Sequence, residues 1–164
     1  MNNKLRGEKE EFILMIRRAS KEDANALSEL SFRSKAYWGY NDAFMKACRE
    51  DLKVTEEDIN LSHVYVLEVY GKVVAFYSLV YDKEGAELRN FFVDPIGIGK
   101  GYGKYIWKHL IETAKCLGIE QFFIHSDPHA EGFYKKMGAM RIGEVQSTVF
   151  PDRKLPFMQA MVKP

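Results

Sequence analysis

The chain has 164 residues, 46% of them apolar and 13% aromatic, enough to bury a sizeable core. Lys and Arg number 24 against 23 Asp and Glu, so the basic excess of a nucleic-acid binder is missing. No apolar run approaches the ~20 residues that cross a bilayer, and Cys48 and Cys116 lack metal-ligand spacing and read as two separate buried thiols.

Residues 1–10 are polar, mixed in charge and without the apolar stretch of a signal peptide. They read as a flexible tail ahead of a single domain over 11–164, in a cytoplasmic protein. Phe12 to Ile16 has the composition of a first strand. Ser20 and Asp23 form a relative of the capping box, and the helix that follows presents Ala24, Leu27, Leu30 and Ser31 on one face. Tyr37, Trp38 and Tyr40 crowd around Gly39. Asn41 or Asp42 then caps a helix with Phe44, Cys48 and Leu52 along one side, and Thr55 to Asp58 starts another. Val64–Tyr70 and Val73–Tyr81 are strands joined by a Gly71-Lys72 turn. Asp82–Gly85 turns again, and Ala86–Asp94 is a third consecutive strand.

Four glycines then alternate at Gly97, Gly99, Gly101 and Gly103. After them Ile106, Leu110, Ala114 and Leu117 recur at helical spacing, up to a terminating Gly118. A strand, a glycine loop and a helix start make an anion site: glycine backbone approaches a ligand closely, and the first helical turn adds unpaired N–H groups. A Walker A loop would need glycine at Ile98 and Ser or Thr at Tyr105, and a dinucleotide fingerprint would need its third glycine at Tyr102 or Lys104. Both fail.

Glu120 to Ser126 reads as a further strand, linked to the pre-loop strand by a right-handed crossover. Asp127 can cap a helix with Pro128 at its first position, and Gly138 ends that helix after three turns. Strand-like segments 142–150 and 157–163, joined by a turn over Pro151 to Lys154, close the chain.

Two of these stretches carry a resemblance. Val93-Asp94-Pro95 followed by Ile98-Gly99-Lys100-Gly101-Tyr102-Gly103 resembles the Arg/Gln-x-x-Gly-x-Gly/Ala loop of the GNAT N-acetyltransferases, with Ile98 where Arg or Gln is usual. Asp127, Ala130, Tyr134 and Gly138 fall in the register of that family's Asn-x-x-Ala-x-x-x-Tyr-x-x-x-Gly-Phe motif, with Asp for Asn and Ala139 for the aromatic. The resemblance covers about residues 12–148. It implies an α/β (α+β) fold with a mixed, mainly antiparallel central sheet flanked by helices. It also implies transfer of an acetyl group from acetyl-CoA to an amine by direct attack in a ternary complex.

The family places the CoA pyrophosphate on Ile98, Gly99, Lys100, Gly101, Tyr102, Gly103 and Lys104, and the acyl oxygen on a backbone N–H near Phe92 or Val93. It puts Asp127 and Tyr134 beside CoA, with Tyr134 returning a proton to the leaving thiolate. A phenol of pKa ~10 giving a proton to a thiolate of ~8.5 is uphill by only about 2 kcal/mol. A lysine-like acceptor, with a pKa of ~10.4, gains from a general base; Glu87 and His125 are the candidates. The segment between strands one and two walls the acceptor pocket in this family, which places Tyr37, Trp38, Tyr40 and Phe44 there, although these aromatics serve equally well to pack a helix on the sheet. His63, His109 and His129 read as surface or packing residues, and no metal is expected. The terminal hairpin edge offers a contact for a homodimer. The alternative reading is a non-catalytic acyl-CoA sensor of the same fold.

Overall fold

The computed structural model describes residues 14–163. The expected tail and the first two residues of the expected first strand lie outside them. Seven strands form one sheet: β1 (Leu14–Arg18), β2 (His63–Val69), β3 (Lys72–Asp82), β4 (Gly85–Val93), β5 (Gln121–His125), β6 (Met140–Gln146) and β7 (Lys154–Met161). Their spatial order is β1-β2-β3-β4-β5-β7-β6. Only β4 and β5 run parallel, across a helical crossover; all other neighbours are antiparallel. The sheet is therefore mixed and mainly antiparallel, as expected.

Helices cover both faces. On one side lie α1 (Ala24–Ala36), α2 (Asp42–Cys48) and α3 (Glu56–Leu61). Leu27, Leu30 and Ile59 meet Val64, Val66 and Phe76 there. On the other side α4 (Tyr102–Cys116) and α5 (Glu131–Lys136) pack Ile106, Trp107, Leu110 and Tyr134 against Ala75, Tyr77, Leu79 and Phe122. Residues 74–79 of β3 are thus buried without a break, as a strand covered on both faces requires. The expected caps form: Ser20 with Asp23, Asn41 accepting from the Phe44 N–H, and Thr55 with Asp58. Gly118, at φ 72°, closes α4 with the Ile119 N–H reaching back to the Ala114 carbonyl at 2.9 Å.

Four boundaries differ from expectation. The β2–β3 turn is Tyr70-Gly71, not Gly71-Lys72; both residues take positive φ (52° and 75°), as a turn matching the strand twist demands. An extra residue in β3, Val74, shifts the register behind it. Asp127 caps a turn rather than a three-turn helix: its carboxylate accepts the His129 N–H at 2.9 Å, and α5 begins only at Glu131. Helix α2 stops at Cys48, with Leu52 buried beyond its end. The last hairpin starts earlier than expected, because the Ser147 hydroxyl takes the N–H groups of Val149 and Phe150 and ends β6 at Gln146.

Candidate functional site

The site begins as a defect in β4. Ser78 pairs with Asn90 but Leu79 pairs with Leu88, so Arg89 is a bulge. On the other edge, β4 meets β5 only at Glu87 with Phe123 and Leu88 with Ile124. Beyond Leu88 the two strands part. The cleft between them has a volume of about 1150 Å³.

The freed edge of β4 faces this cleft. The Asp94 N–H donates to the Val74 carbonyl at 2.7 Å, pointing toward β3. Alternation along the strand then turns the N–H and C=O of Val93 and Phe91 the opposite way, into the opening. Of the two expected donors, Val93 is the one whose backbone faces the cleft; Phe92 faces β3.

At the end of β4, Asp94 caps a short turn over Pro95–Gly97 by accepting the Ile96 N–H. Burial alone would raise the Asp94 carboxyl, but the 2.7 Å bond from Arg33 and the backbone N–H hold it below the usual carboxylate range. Gly97 lies under the Tyr102 ring, where a Cβ would sit 2.6 Å from its carbon. Gly99 and Gly101 both take φ +79°, a region that other residues enter at a cost. Gly103 lies against α5, where a Cβ would meet Phe133 at 3.2 Å. The Ile98 and Lys100 N–H groups are spent within the loop. Those of Gly99, Gly101, Tyr102, Gly103 and Lys104 have no partner among the described residues. This row of N–H groups, at the positive end of a fifteen-residue helix, fits a diphosphate. Ile98, 49% exposed at the rim, adds no charge to it.

Tyr134 stands across the cleft on α5. Its ring packs against Phe91, Trp107 and Phe133 at centroid distances of 6.1, 5.9 and 5.6 Å, and only 6% of the residue is exposed. Its hydroxyl has no hydrogen-bond partner among the described residues, yet it is not sealed, since no buried side-chain oxygen there lacks a partner. Burial, and then the nearby Asp127 charge, push its pKa up, so the phenol holds its proton at neutral pH. Glu87 and His125 both line the cleft floor, where β4 and β5 separate. Glu87 is half-buried, whereas the exposed His125 ring lies edge-on to Phe157.

The aromatic segment after α1 divides. Tyr37 and Trp38 line the cleft, and Trp38 stacks flat on His129 at 5.2 Å. Tyr40 and Phe44 do not reach it. They stack on each other at 4.1 Å, with Phe150 behind Phe44, and pack over Met45 and Cys48. The Tyr40 hydroxyl turns instead to Asp127 at 2.9 Å.

Asp127 is the centre of a cluster. Its carboxylate also takes Lys35 at 3.1 Å and lies 3.6 Å from Arg153, whose guanidinium donates to the Tyr40 oxygen at 2.7 Å. Both cations lie over the Tyr40 and Phe44 rings, at 5.0–5.8 Å. Lys35, His129 and Arg153 carried no signal in the sequence. Arg153 sits in a turn segment, and only the fold brings it to Asp127.

Comparison with known proteins places this architecture. The profile of the Acetyltransferase (GNAT) family matches residues 28–139. An uncharacterized N-acetyltransferase of Methanocaldococcus jannaschii is 32% identical over 139 aligned positions, covering 75% of this chain. The chain spans 59% of the length of that relative. The PaiA N-acetyltransferase of Thermoplasma acidophilum, solved in complex with coenzyme A, superposes with a TM-score of 0.73 at 18% identity, over 90% of this chain and 98% of that one. The protein named yncA from Salmonella typhimurium, solved with its cofactor acetyl-CoA, gives 0.66 at 20% identity, over 92% and 95%.

Proposed function

Since the chain belongs to the acetyltransferase (GNAT) family, we propose that it transfers an acetyl group from acetyl-CoA to an amine by direct attack in a ternary complex. The observation that carries this reading is the splayed β4–β5 cleft, lined both by a row of N–H groups without a partner among the described residues and by Tyr134.

In this reading the N–H groups of Gly99 and of Gly101 to Lys104 hold the pyrophosphate. The Val93 N–H stabilises charge developing on the acyl oxygen; a fixed backbone donor of this kind is worth ~3–4 kcal/mol in an acyl transfer. The incoming amine loses its proton to Glu87, the half-buried carboxylate on the cleft floor, with His125 as the other candidate. The C–S bond breaks as the Tyr134 proton passes to sulfur. The raised pKa of that phenol keeps it protonated and makes donation costlier, which the same dry surroundings offset by raising the thiol. Tyr37 and Trp38 form the acceptor wall, which suits an amine with an apolar or planar body. Cys48 is buried but Cys116 is exposed, against the two buried thiols expected; the two, unpaired with each other, support a cytoplasmic setting. The exposed Met140 and Ile142 on the edge strand β6 support a homodimer through that edge.

Calorimetry with acetyl-CoA, followed by an amine-library screen for thiol release, tests the reading. Wild type should bind and turn over. Tyr134→Phe should keep its affinity within about threefold and lose ~10²-fold or more in kcat, the usual worth of a placed general acid. The neutral Ile98 side chain at the loop favours one rival, a non-catalytic acyl-CoA sensor. Binding without turnover for any amine would establish that rival.

A further inference from the structure

The bulge that opens the cleft also decides which way Arg89 faces. Leu88 and Phe91 lie three positions apart yet pack into the same cluster under α4 and α5. Strict alternation would put them on opposite faces of the sheet. The extra residue removes this conflict. It leaves Arg89 and Asn90 together on the other face, which Phe92 shares and which α1 covers. Alternation from Leu88 puts Glu87 on that face too. Glu87, Arg89 and Asn90 all line the cleft.

The other acids of the cleft wall are engaged elsewhere. Asp127 is shared by Lys35 and Arg153, Asp58 accepts the Thr55 N–H at 2.9 Å, and Asp51 accepts the Thr148 hydroxyl at 3.1 Å. Arg89 is exposed in the cleft with no hydrogen-bond or ion-pair partner among the described residues. Its planar fork is therefore open, and a guanidinium matches a carboxylate through two parallel hydrogen bonds. Its place along β4 says which molecule would carry that carboxylate. Arg89 lies between Glu87, the candidate base, and Val93, the candidate donor to the acyl oxygen. The stretch from Arg89 to Val93 spans ~13 Å of strand, which the arginine side chain and the acyl group close from the two ends. A carboxylate on the carbon that bears the amine fits the remainder. An acceptor without an anion would instead bring its ammonium toward an uncompensated guanidinium, which like-charge repulsion opposes.

We propose that Arg89 binds the carboxylate of the acceptor, and that the acceptor is a free α-amino acid with its side chain against Tyr37 and Trp38. This rests on the reading of the cleft as the site of acetyl transfer. The reaction is the one given above, at the α-amine: the N–C bond forms and the C–S bond breaks, while the amine proton passes to Glu87 and the Tyr134 proton to sulfur. The products are an N-acetyl amino acid and CoA. Glu87 and Arg89 then face the two charged ends of one zwitterion, the ammonium and the carboxylate.

The experiment follows thiol release from acetyl-CoA by the full chain with the common L-amino acids, their amides, the matching decarboxylated amines and the matching 1-aminoalkylphosphonates. The proteins are wild type, Arg89→Gln, Arg89→Lys and, for comparison, Lys53→Gln, which removes a cation that lines the cleft from the α2–α3 link. Wild type should use an amino acid with a KM at least about tenfold below that of its amide or its amine. Arg89→Gln should raise the KM for the amino acid about 10- to 100-fold, the worth of a charge-assisted pair. It should leave kcat within about threefold and the KM for the amide unchanged, a split that a merely distorted wall would not produce. Arg89→Lys should recover part of the loss, since it keeps the charge without the fork. Lys53→Gln should change either KM less than about threefold. Amides or plain amines used as well as amino acids, phosphonates preferred to carboxylates, or Arg89→Gln as selective as wild type would each overturn the assignment. Acetyl-CoA binding without turnover of any amine overturns the parent reading instead, and this assignment with it.

Discussion

Replacing Asp127 by Asn is the most informative single change, because it removes one charge and almost no volume. Asn keeps an oxygen for the His129 N–H and for the Tyr40 hydroxyl. What disappears is the negative charge facing Lys35 at 3.1 Å and Arg153 at 3.6 Å. Those two side chains are only 15% and 21% exposed, so they are left uncompensated in a place that water reaches poorly. Breaking a fully buried pair costs ~3–5 kcal/mol, and a charged hydrogen bond ~1.5–3; partial exposure puts this site at about 2 kcal/mol. For a chain of this size that is a Tm lower by about 4–8 °C. The pH dependence has a definite sign. Burial pushes the Asp127 carboxyl up, but the His129 N–H and Lys35, with Tyr40, outweigh it and hold the pKa below the ordinary value of 3.8. The stabilisation is therefore complete above that value and is lost as pH falls through the lower, folded one. Thermal unfolding of both proteins at neutral pH and at pH ~3 measures this. The gap should be widest at neutral pH and should narrow as the pH drops below 3.8. A variant melting within about 1 °C of wild type at neutral pH, or a gap that does not narrow in acid, would refute the argument that the carboxylate holds this cluster together.

Other expectations follow from particular contacts. Glu87→Gln should lower kcat/KM about 10²-fold while His125→Gln changes it less than about threefold; the opposite order would move the base to β5. Gly103→Val should weaken CoA binding at least tenfold and cost ~1–3 kcal/mol of stability, since even its Cβ presses on Phe133 at 3.2 Å; unchanged affinity by calorimetry would mean that α4 and α5 need not pack this closely. Burial depresses His109, and burial with the Arg18 charge depresses His63, from the usual 6.5. Both are neutral in the fold and take up protons on unfolding, so stability should fall as pH drops below about 6.5. His109→Gln should flatten that slope in denaturant titrations across this range; an unaltered slope would assign the dependence to other groups.

Much of the fold was legible because it rests on local rules. Caps at Ser20, Asn41 and Thr55 satisfy N–H groups within three residues, and alternating or continuous apolar runs mark half-buried or fully buried strands. The glycine loop was legible for the same reason, since its positive φ values and close approaches act on adjacent backbone. Errors appeared where one local rule competed with another. Tyr70 enters the left-handed region so that the turn can match the strand twist, and Asp127 gives its carboxylate to a turn instead of a helix start.

The sequence by itself determined the order of elements, the strand–loop–helix that presents free N–H groups, and the register that puts a tyrosine after it. Tertiary structure decided where the cleft opens, because one bulged residue, Arg89, ends the pairing of β4 with β5. It also decided which aromatics face that cleft. Tyr40 was drawn away to Asp127, 87 positions along the chain, and Arg153 reaches Tyr40 across 113. Backbone propensities act over a few residues and can be read in order, whereas a charge finds its partner by distance in space, which the chain acquires only once its core has packed.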